Sequence, residues 1–392
     1  MNFLGYERPD GLVGARNHVL VIPSLLSGLV ATKICNFVDG TKTILIASGN
    51  FEGHTNHDRA IADRVLIGLG LNPNVASVIV DNEYRSVLPI SEEIAKSGKR
   101  VERLDPKEDG GTFGTIGKGV QLAREMVRDA SKLRRRSFDM GRLMLAVKCG
   151  GSDATSGIAG NPVVGHVFDR IIDAGGTALF GENTEIVGAE HVLARRAVND
   201  QVAQEILQAA QNIDEAVKST GEDLRSINPT DGNKAGGLST IEEKSLGAIH
   251  KSGTKPIQGV IEYGARPGGA GLYWCDNNPG MNIFTGYAAS GAQLLIQSTG
   301  TTSFPSNYDL LLTSPGVVSP LFFTTANPRT VDLAPTSIDF YSGTVLEGTE
   351  TIESAGEKLL ELVLDVASGS MTRVETLRHQ NPTSFYLKDP VF

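Results

Sequence analysis

The sequence predicts an α/β protein with two Rossmann-like, largely parallel sheets flanked by helices. Three observations carry that prediction. Short apolar runs alternate with longer amphipathic ones along the chain, as they do where parallel strands are joined by helices. The apolar runs end in polar, glycine-rich loops, the position at which open α/β sheets hold ligands. The pattern also restarts near Gly141. That divides the 392 residues into an N-terminal α/β domain, 1–140, and a C-terminal α/β domain, 141–392, carrying the main substrate loops.

In order, HVLVIP (18–23) reads as a strand and SLLSGLVATKICNFV (24–38) as the helix after it. TILIAS (43–48) is a second strand, ending in the loop GNFEGHTNHD. Ile61, Val65 and Leu69 recur at helical spacing in the next segment. VASVIV (75–80) is a third strand. ISEEIAKSGK (90–99) is a helix with an acidic first turn, a basic last turn and a glycine stop. RVERL (100–104) reads as an edge strand, DPKEDGGTFGTIGKG (105–119) as a glycine-rich break, and 120–137 as a helix. KLRRRS (132–137) then reads as solvated cations facing the negative end of that helix. The second half repeats the scheme with strands at RLMLAVK (142–148), TALFG (177–181), IQGVIEY (257–263), AQLLIQS (292–298) and PLFFTTA (320–326). Helices are expected at 163–175, 189–199, a long polar stretch after that, and 355–369.

Composition narrows the function. A net charge of −9 argues against general affinity for nucleic acid or an anionic membrane. The three cysteines, Cys35, Cys149 and Cys275, have no CxxC spacing, so they form no disulfide framework and suit a reducing compartment. The first residues carry charges and prolines before any apolar run, unlike a signal peptide, and no run reaches the ~20 apolar residues of a membrane span. The expectation is a cytoplasmic protein with no nucleic-acid or membrane partner. GGTFGTIGKGV fails as a phosphate loop, because Thr112 stands where a glycine is needed and Gly119 where a Ser or Thr should follow Lys118. No GxGxxG follows the first strand, so an ATPase and a classical NAD enzyme are both disfavoured.

The segment AVKCGGSDATSGIAGNP (146–162) is the richest loop. Gly150 and Gly151 let backbone approach a ligand, Ser152, Asp153, Thr155 and Ser156 offer hydroxyls and a carboxylate, and a helix start follows. A capped turn, with those side chains spent on orphan amides, is the equal alternative on composition. Two companion loops favour a ligand site: one brings Glu182, Glu185, Glu190 and His191, the other Lys234, Thr240, Glu242, Glu243 and Lys244. Three such loops are hard to explain as packing. Cys149 reads as a buried small hydrophobe rather than a nucleophile. His166 and His250 read as packed or surface residues. His54 and His57, near Asn50, Glu52 and Asp58, are open to metal or proton chemistry or to a polar capped turn.

These loops are also where the chain resembles a known family. GYERPDGLVGARNHVLVIPS (5–24), KCGGSDATSGIAGNPVVG (148–165), ENTEIVGAEHVLARRA (182–197), GNKAGGLSTIEEKSLGAIHKSG (232–253), PGMNIFTGYAASGAQLLIQSTGTTS (279–303) and His379 resemble the altronate/galactarate dehydratase family over nearly the whole chain. The resemblance implies a lyase that removes water from a sugar acid or related 2-hydroxy acid, leaving a 2-keto acid, with a divalent metal, iron or manganese. It also implies a separate small subunit with an antifreeze-like domain, since the chain begins at the catalytic region, and a homo-oligomer.

Two family motifs depart. Where the family has Gly-Thr-Gly-Cys-Gly and Gly-Cys-Glu, this sequence has SGNFEG (48–53) and VDNEY (80–84), so both cysteines are absent and Glu83 alone remains. Large subunits of sulfolactate sulfo-lyases share the stand-alone architecture, and sulfite release is the alternative reaction. A non-catalytic binding or assembly subunit is the competing class, supported by the two missing cysteines. Motif and loop chemistry together nominate Lys244, Lys234, His191 and Glu243 as catalytic. Cys149, Gly150, Gly151, Ser152, Asp153, Thr155 and Thr240 are nominated for substrate binding, and Glu182, Glu185 and His54 for the metal.

Overall fold

A computed structural model describes residues 1–25, 28–46, 51–83, 85–277, 280–300, 315–377, 382–389 and 391. Asn50, His379 and the 301–303 part of the last family motif lie outside the described residues. The strands are β1 (Asn2–Glu7), β2 (Val13–Gly14), β3 (His18–Ile22), β4 (Thr41–Thr43), β5 (Leu45–Ile46), β6 (Val75–Asp81), β7 (Arg100–Leu104) and β8 (Arg136–Asp139). They continue with β9 (Met144–Gly150), β10 (Thr177–Gly181), β11 (Ile257–Glu262), β12 (Gly271–Asp276), β13 (Leu294–Thr299), β14 (Leu321–Thr325), β15 (Phe340–Tyr341) and β16 (Pro382–Thr383).

Two parallel sheets flanked by helices result. A seven-stranded sheet has the order β11-β12-β10-β9-β13-β14-β15 and a four-stranded sheet the order β4-β3-β6-β7, with every pairing parallel. Alternation explains how the larger sheet is covered on both faces. Leu145, Val147, Ala178, Phe180, Leu272, Trp274, Leu294 and Ile296 join one core with Val163, Val167 and Phe168 of the helix Asn161–Asp173 and Leu359 and Val363 of the helix Ile352–Ala367. Their neighbours Ala146, Leu179, Tyr273 and Leu295 pack on the other face against Ile283, Phe284 and Tyr287 of the helix Asn282–Ser290.

Segments from the two halves interlock. β1 pairs with β8 within the amino-terminal half, and β16 of the carboxy-terminal half pairs with β5 of the amino-terminal half. Asn72 and Asn74, beyond the helix Asn56–Leu71, donate to the carbonyls of Ala288, Ala292, Gln293 and Val318. At Gly68 a Cβ would lie 2.3 Å from the Ala289 carbonyl oxygen, so the helix Asn56–Leu71 meets the helix Asn282–Ser290 with no side chain between.

The structure corrects several elements. Of TILIAS, Thr43 closes β4 and Leu45 and Ile46 form β5, while Ala47 and Ser48 lie outside the described residues. GGTFGTIGKG is not a break: the helix Gly111–Ala130 begins there. Gly119 serves close approach, since a Cβ there would lie 2.3 Å from Ile34 Cδ1. KLRRRS follows that helix instead of ending it. Arg136 and Ser137 lie in β8, and Arg135 donates to the carbonyls of Leu4, Ala15 and Ala367. The expected helix at 189–199 is confined to Glu190–Ala194, because Ala197 bridges to Ile257. GLYWCD, not expected as a strand, is β12 and lies inside the sheet.

Candidate active site

The site lies beyond the carboxyl ends of β9, β10 and β13. β9 delivers Lys148 and Cys149 and then turns at Gly151, whose φ is 51°. β10 delivers Glu182 in the left-handed region, φ 79°, a conformation costing a non-glycine residue about 1–3 kcal/mol. Asn277 holds it there: its Oδ1 accepts from the Glu182 amide at 3.0 Å, and its carbonyl accepts from the Asn183 amide at 3.0 Å. Asn277, itself fully buried, holds this strained turn and so fixes the direction in which the Glu182 side chain points.

Glu182 and Glu185 converge on Lys251. The Lys251 ammonium lies 2.5 Å from Glu182 Oε2, 2.9 Å from Glu185 Oε2 and 3.2 Å from Cys149 Sγ. Lys148 Nζ lies 3.2 Å from Glu182 Oε1, and Lys244 Nζ lies 3.7 Å from Glu185 Oε1. Lys244 also donates to Asn228 Oδ1 at 2.9 Å and Asn233 Oδ1 at 3.2 Å. All five charged side chains are buried. Three ammonium groups against two carboxylates leave one uncompensated positive charge.

Their titration diverges. Burial, reinforced by Glu185, pushes the Glu182 carboxyl up. Burial would raise Glu185 too, but Lys251, Lys244 and Lys148 hold it well below the usual carboxylate range. Burial opposes the charge on Lys251, and Glu182 and Glu185 more than offset it, so the ammonium is held well above its usual range. Burial pushes the Cys149 thiol up to about 12, which keeps it protonated. Adjacent carboxyls whose environments drive them apart are the usual arrangement for acid–base work.

This cluster opens on a cavity of about 310 Å³, whose walls include Lys148, Gly150, Glu182, Lys244, Gln297 and Thr299. Gln297 Oε1 and Thr299 Oγ1 are buried without a hydrogen-bond partner among the described residues. Orphaned polar atoms of this kind cost free energy unless a ligand or water meets them. A larger cavity, about 470 Å³, is lined by His57, Arg64, Glu262 and Lys388 among others. Its charges are more exposed, His57 by 60% and Glu262 by 70% of the side chain, so they act through solvent.

The three loops named from sequence do meet. Asn233 Nδ2 donates to the Ser152 carbonyl at 2.9 Å, and the Ala154 amide donates to the Gly236 carbonyl at 3.1 Å. Cys149, Gly150, Gly151, Ser152, Glu182, Glu185 and Lys244 all border the cavity. Asp153 and Thr155 are engaged in the turn itself: Asp153 Oδ1 accepts from Thr155 Oγ1 and the Ser156 amide, and Oδ2 from Asn327. Thr240 caps the helix Ile241–Ile249, and exposed Glu243 accepts from Ser239. Lys234 and His191 are exposed, and neither borders this cavity. His54 stacks on Phe51 at 4.8 Å and faces Asp58, apart from Glu182 and Glu185.

Sequence reasoning missed Lys148, Lys251, Gln297 and Thr299. A lysine closing an apolar strand directly before Cys-Gly-Gly was a legible signal for Lys148. Lys251 sits in the short turn His250–Ser252 and was hidden by its ordinary setting after a helix.

A metal was expected at Glu182, Glu185 and His54. Cys149, Glu182 and Glu185 do form a group that could hold a metal ion, their ligand atoms lying within 4.8 Å of one another. Lys251 touches all three. With the Lys251 ammonium occupying the point on which the three donors converge, the residues as arranged do not fit a divalent ion at this triad.

Residues 140–388 match the family model described as D-galactarate/Altronate dehydratase, C-terminal, and residues 5–131 match D-galactarate dehydratase/Altronate hydrolase, second domain. The (2R)-sulfolactate sulfo-lyase subunit beta of Chromohalobacter salexigens is 36% identical over 384 residues, spanning 96% of this chain and 95% of the relative. Altronate dehydratase of Bacillus subtilis is 27% identical over 391 residues, 95% of this chain and 75% of the relative. Galactarate dehydratase (L-threo-forming) of Escherichia coli is 36% identical over 252 residues, 64% of this chain and 46% of the relative.

Proposed function

The chain belongs to the D-galactarate/altronate dehydratase family, and from that premise we propose that it is a lyase for a small 2-hydroxy acid, with sulfolactate the preferred substrate and sulfite the leaving group. The substrate carboxylate is seated by the Gly150 and Gly151 amides and by Lys148 and Lys244. The C2 proton passes to Glu182, whose Oε1 has no hydrogen-bond donor aligned on it and whose raised affinity for protons makes it the stronger base of the pair. The C2–H electron pair forms an enediolate, whose second negative charge rests against the Lys148 and Lys244 ammoniums. That pair then forms the C2=C3 bond as the C3–S bond breaks, and sulfite leaves with the bonding electrons. The enol gives up its hydroxyl proton to the departing sulfite or to water and takes one at C3 from Glu182, which yields the 2-keto acid and restores the base.

The observation that carries this reading is the surplus positive charge on a buried, cavity-facing cluster, which suits an anionic substrate whose charge grows during reaction. Lys244 serves as electrophile, its Nζ donating to Asn228 and Asn233 and lying 3.7 Å from Glu185 Oε1. No step runs through iron or manganese, because Lys251 stands among the donors. Sulfite departs without a dedicated acid, which suits a chain lacking both family cysteines, and the sulfolactate relative matches over nearly its full length. That relative is a subunit beta, which supports a partner subunit; a small partner, a cytoplasmic setting and more than one copy of this chain are part of the proposal. Dehydration of a sugar acid is the second reading, favoured by the 36% identity to galactarate dehydratase.

The test is keto-acid release from sulfolactate, altronate and galactarate, with and without a small partner subunit. Pyruvate with equimolar sulfite supports the first reading. Keto acid without sulfite supports the second. No keto acid from any of them, with the small subunit present, would favour a non-catalytic subunit.

A further inference from the structure

We infer that Lys251 is the resident cation of this site: an internal ammonium standing where a metal-dependent arrangement of the same donors would hold its ion. The inference rests on the proposed lyase reading only for what the charge does in turnover.

A thiol and two carboxylates within 4.8 Å of one another form a donor set suited to a borderline divalent ion. Lys251 Nζ is within hydrogen-bonding range of one atom from each, and the three contacts match the three protons an ammonium can donate. The side chain is 1% exposed, so bulk water offers it no competing partner.

The backbone that delivers Lys251 is also firmly held. It lies in the turn His250–Ser252, against which Gly165 packs so closely that a Cβ there would fall 2.2 Å from the His250 carbonyl oxygen. Ser252 Oγ donates to the Ile249 carbonyl and accepts from Arg196. Asp169 accepts from the Thr254 amide just beyond the Gly253 turn. A lysine anchored this way would have to leave a sealed, fully paired position before an ion could enter.

Lys251 does not border the cavity, so it is a positioning residue. It neutralises Glu185, orients Glu182 toward the cavity and leaves Lys148 and Lys244 free to meet substrate. An ion at the triad would be redundant while Lys251 is present, and removing the lysine should open a vacancy with ligands already assembled.

The test compares wild type with Lys251→Ala, using Co²⁺ as probe because a cobalt–thiolate bond has its own near-ultraviolet charge-transfer band. Chelator-dialysed wild type should bind no stoichiometric Co²⁺ with that band. Lys251→Ala should bind one equivalent at least about 100-fold more tightly than wild type, with the band, and Lys251→Ala/Cys149→Ser should lose the band. If Lys251→Ala folds poorly alone, Co²⁺ should raise its Tm and leave that of wild type unchanged. A cobalt–thiolate band in wild type abolished by Cys149→Ser, or a Lys251→Ala protein that gains neither band nor Tm shift, would overturn the inference. Neither readout uses a substrate, so failure of the lyase reading shows up separately, in the keto-acid assay.

Discussion

The two parallel sheets end in charged clusters of similar composition and unlike consequence. Beyond β6 and β7, Arg103 pairs with Glu83 at 2.9 Å and Lys118 with Asp109 at 2.6 Å, beside a cavity of about 290 Å³. Arg103 is 65% exposed and Lys118 47%. Beyond β9 and β10, Lys251 pairs with Glu182 and Glu185 at 1% exposure. Water screens the first cluster, where each pair contributes about 0–1 kcal/mol. In the second, desolvation makes each charge depend on its partners, and losing one partner costs about 3–5 kcal/mol. Strand-end loops gather charge in both sheets, and burial decides which cluster can shift protons and polarise a substrate.

The two clusters should differ most in the proposed reaction. Glu182→Gln should lower kcat by about 10²- to 10⁴-fold, whereas Lys118→Met should leave it near wild type; equal effects in a keto-acid assay would remove the distinction. Stability gives the next largest effect. Lys251→Met should cost about 3–5 kcal/mol in urea unfolding, against under about 1 kcal/mol for Arg103→Met.

Asp81, at the end of β6, sharpens the contrast from the other side. Burial pushes its carboxyl up to about 6, against a backbone hydrogen bond from Ser24 that lowers it. A group with a raised folded value binds more protons folded than unfolded, so stability should fall as pH rises from about 4 to about 6. Asp81→Asn should flatten that fall, worth up to about 3 kcal/mol; an unchanged pH profile of unfolding would count against a buried carboxyl in the otherwise wet cluster. Last, Gly165→Ala should cost about 1–3 kcal/mol by forcing the helix away from the His250 turn, and should lower kcat more than it raises KM, because it moves Lys251 and not the cavity wall.

Much of the fold was legible because periodicity reports burial. Strands such as TALFG and VASVIV are apolar because both faces of their sheets are covered. β12 was hidden because GLYWCD follows a glycine-rich segment and its few apolar residues have no clean period. The helix at Gly111 was hidden because glycine usually breaks a helix, whereas at Gly119 it admits Ile34. The site was legible as loops and illegible as a charge network. Gly150 to Ser152 and Glu182 announced themselves by composition. Whether Glu243 or Lys251 reached the interior depended on which side of a turn met the sheet, and no local pattern records that.

The pairing of β16 with β5 has a consequence for how the molecule is made. Ile46 leaves the ribosome long before Thr383, its neighbour in the finished sheet, and at about 5–20 residues per second that interval is on the order of tens of seconds. Throughout it Leu45 and Ile46 have no strand partner among the described residues other than β16. A nascent chain stalled before residue 382 should therefore be cut by protease near Leu45, while released full-length protein resists.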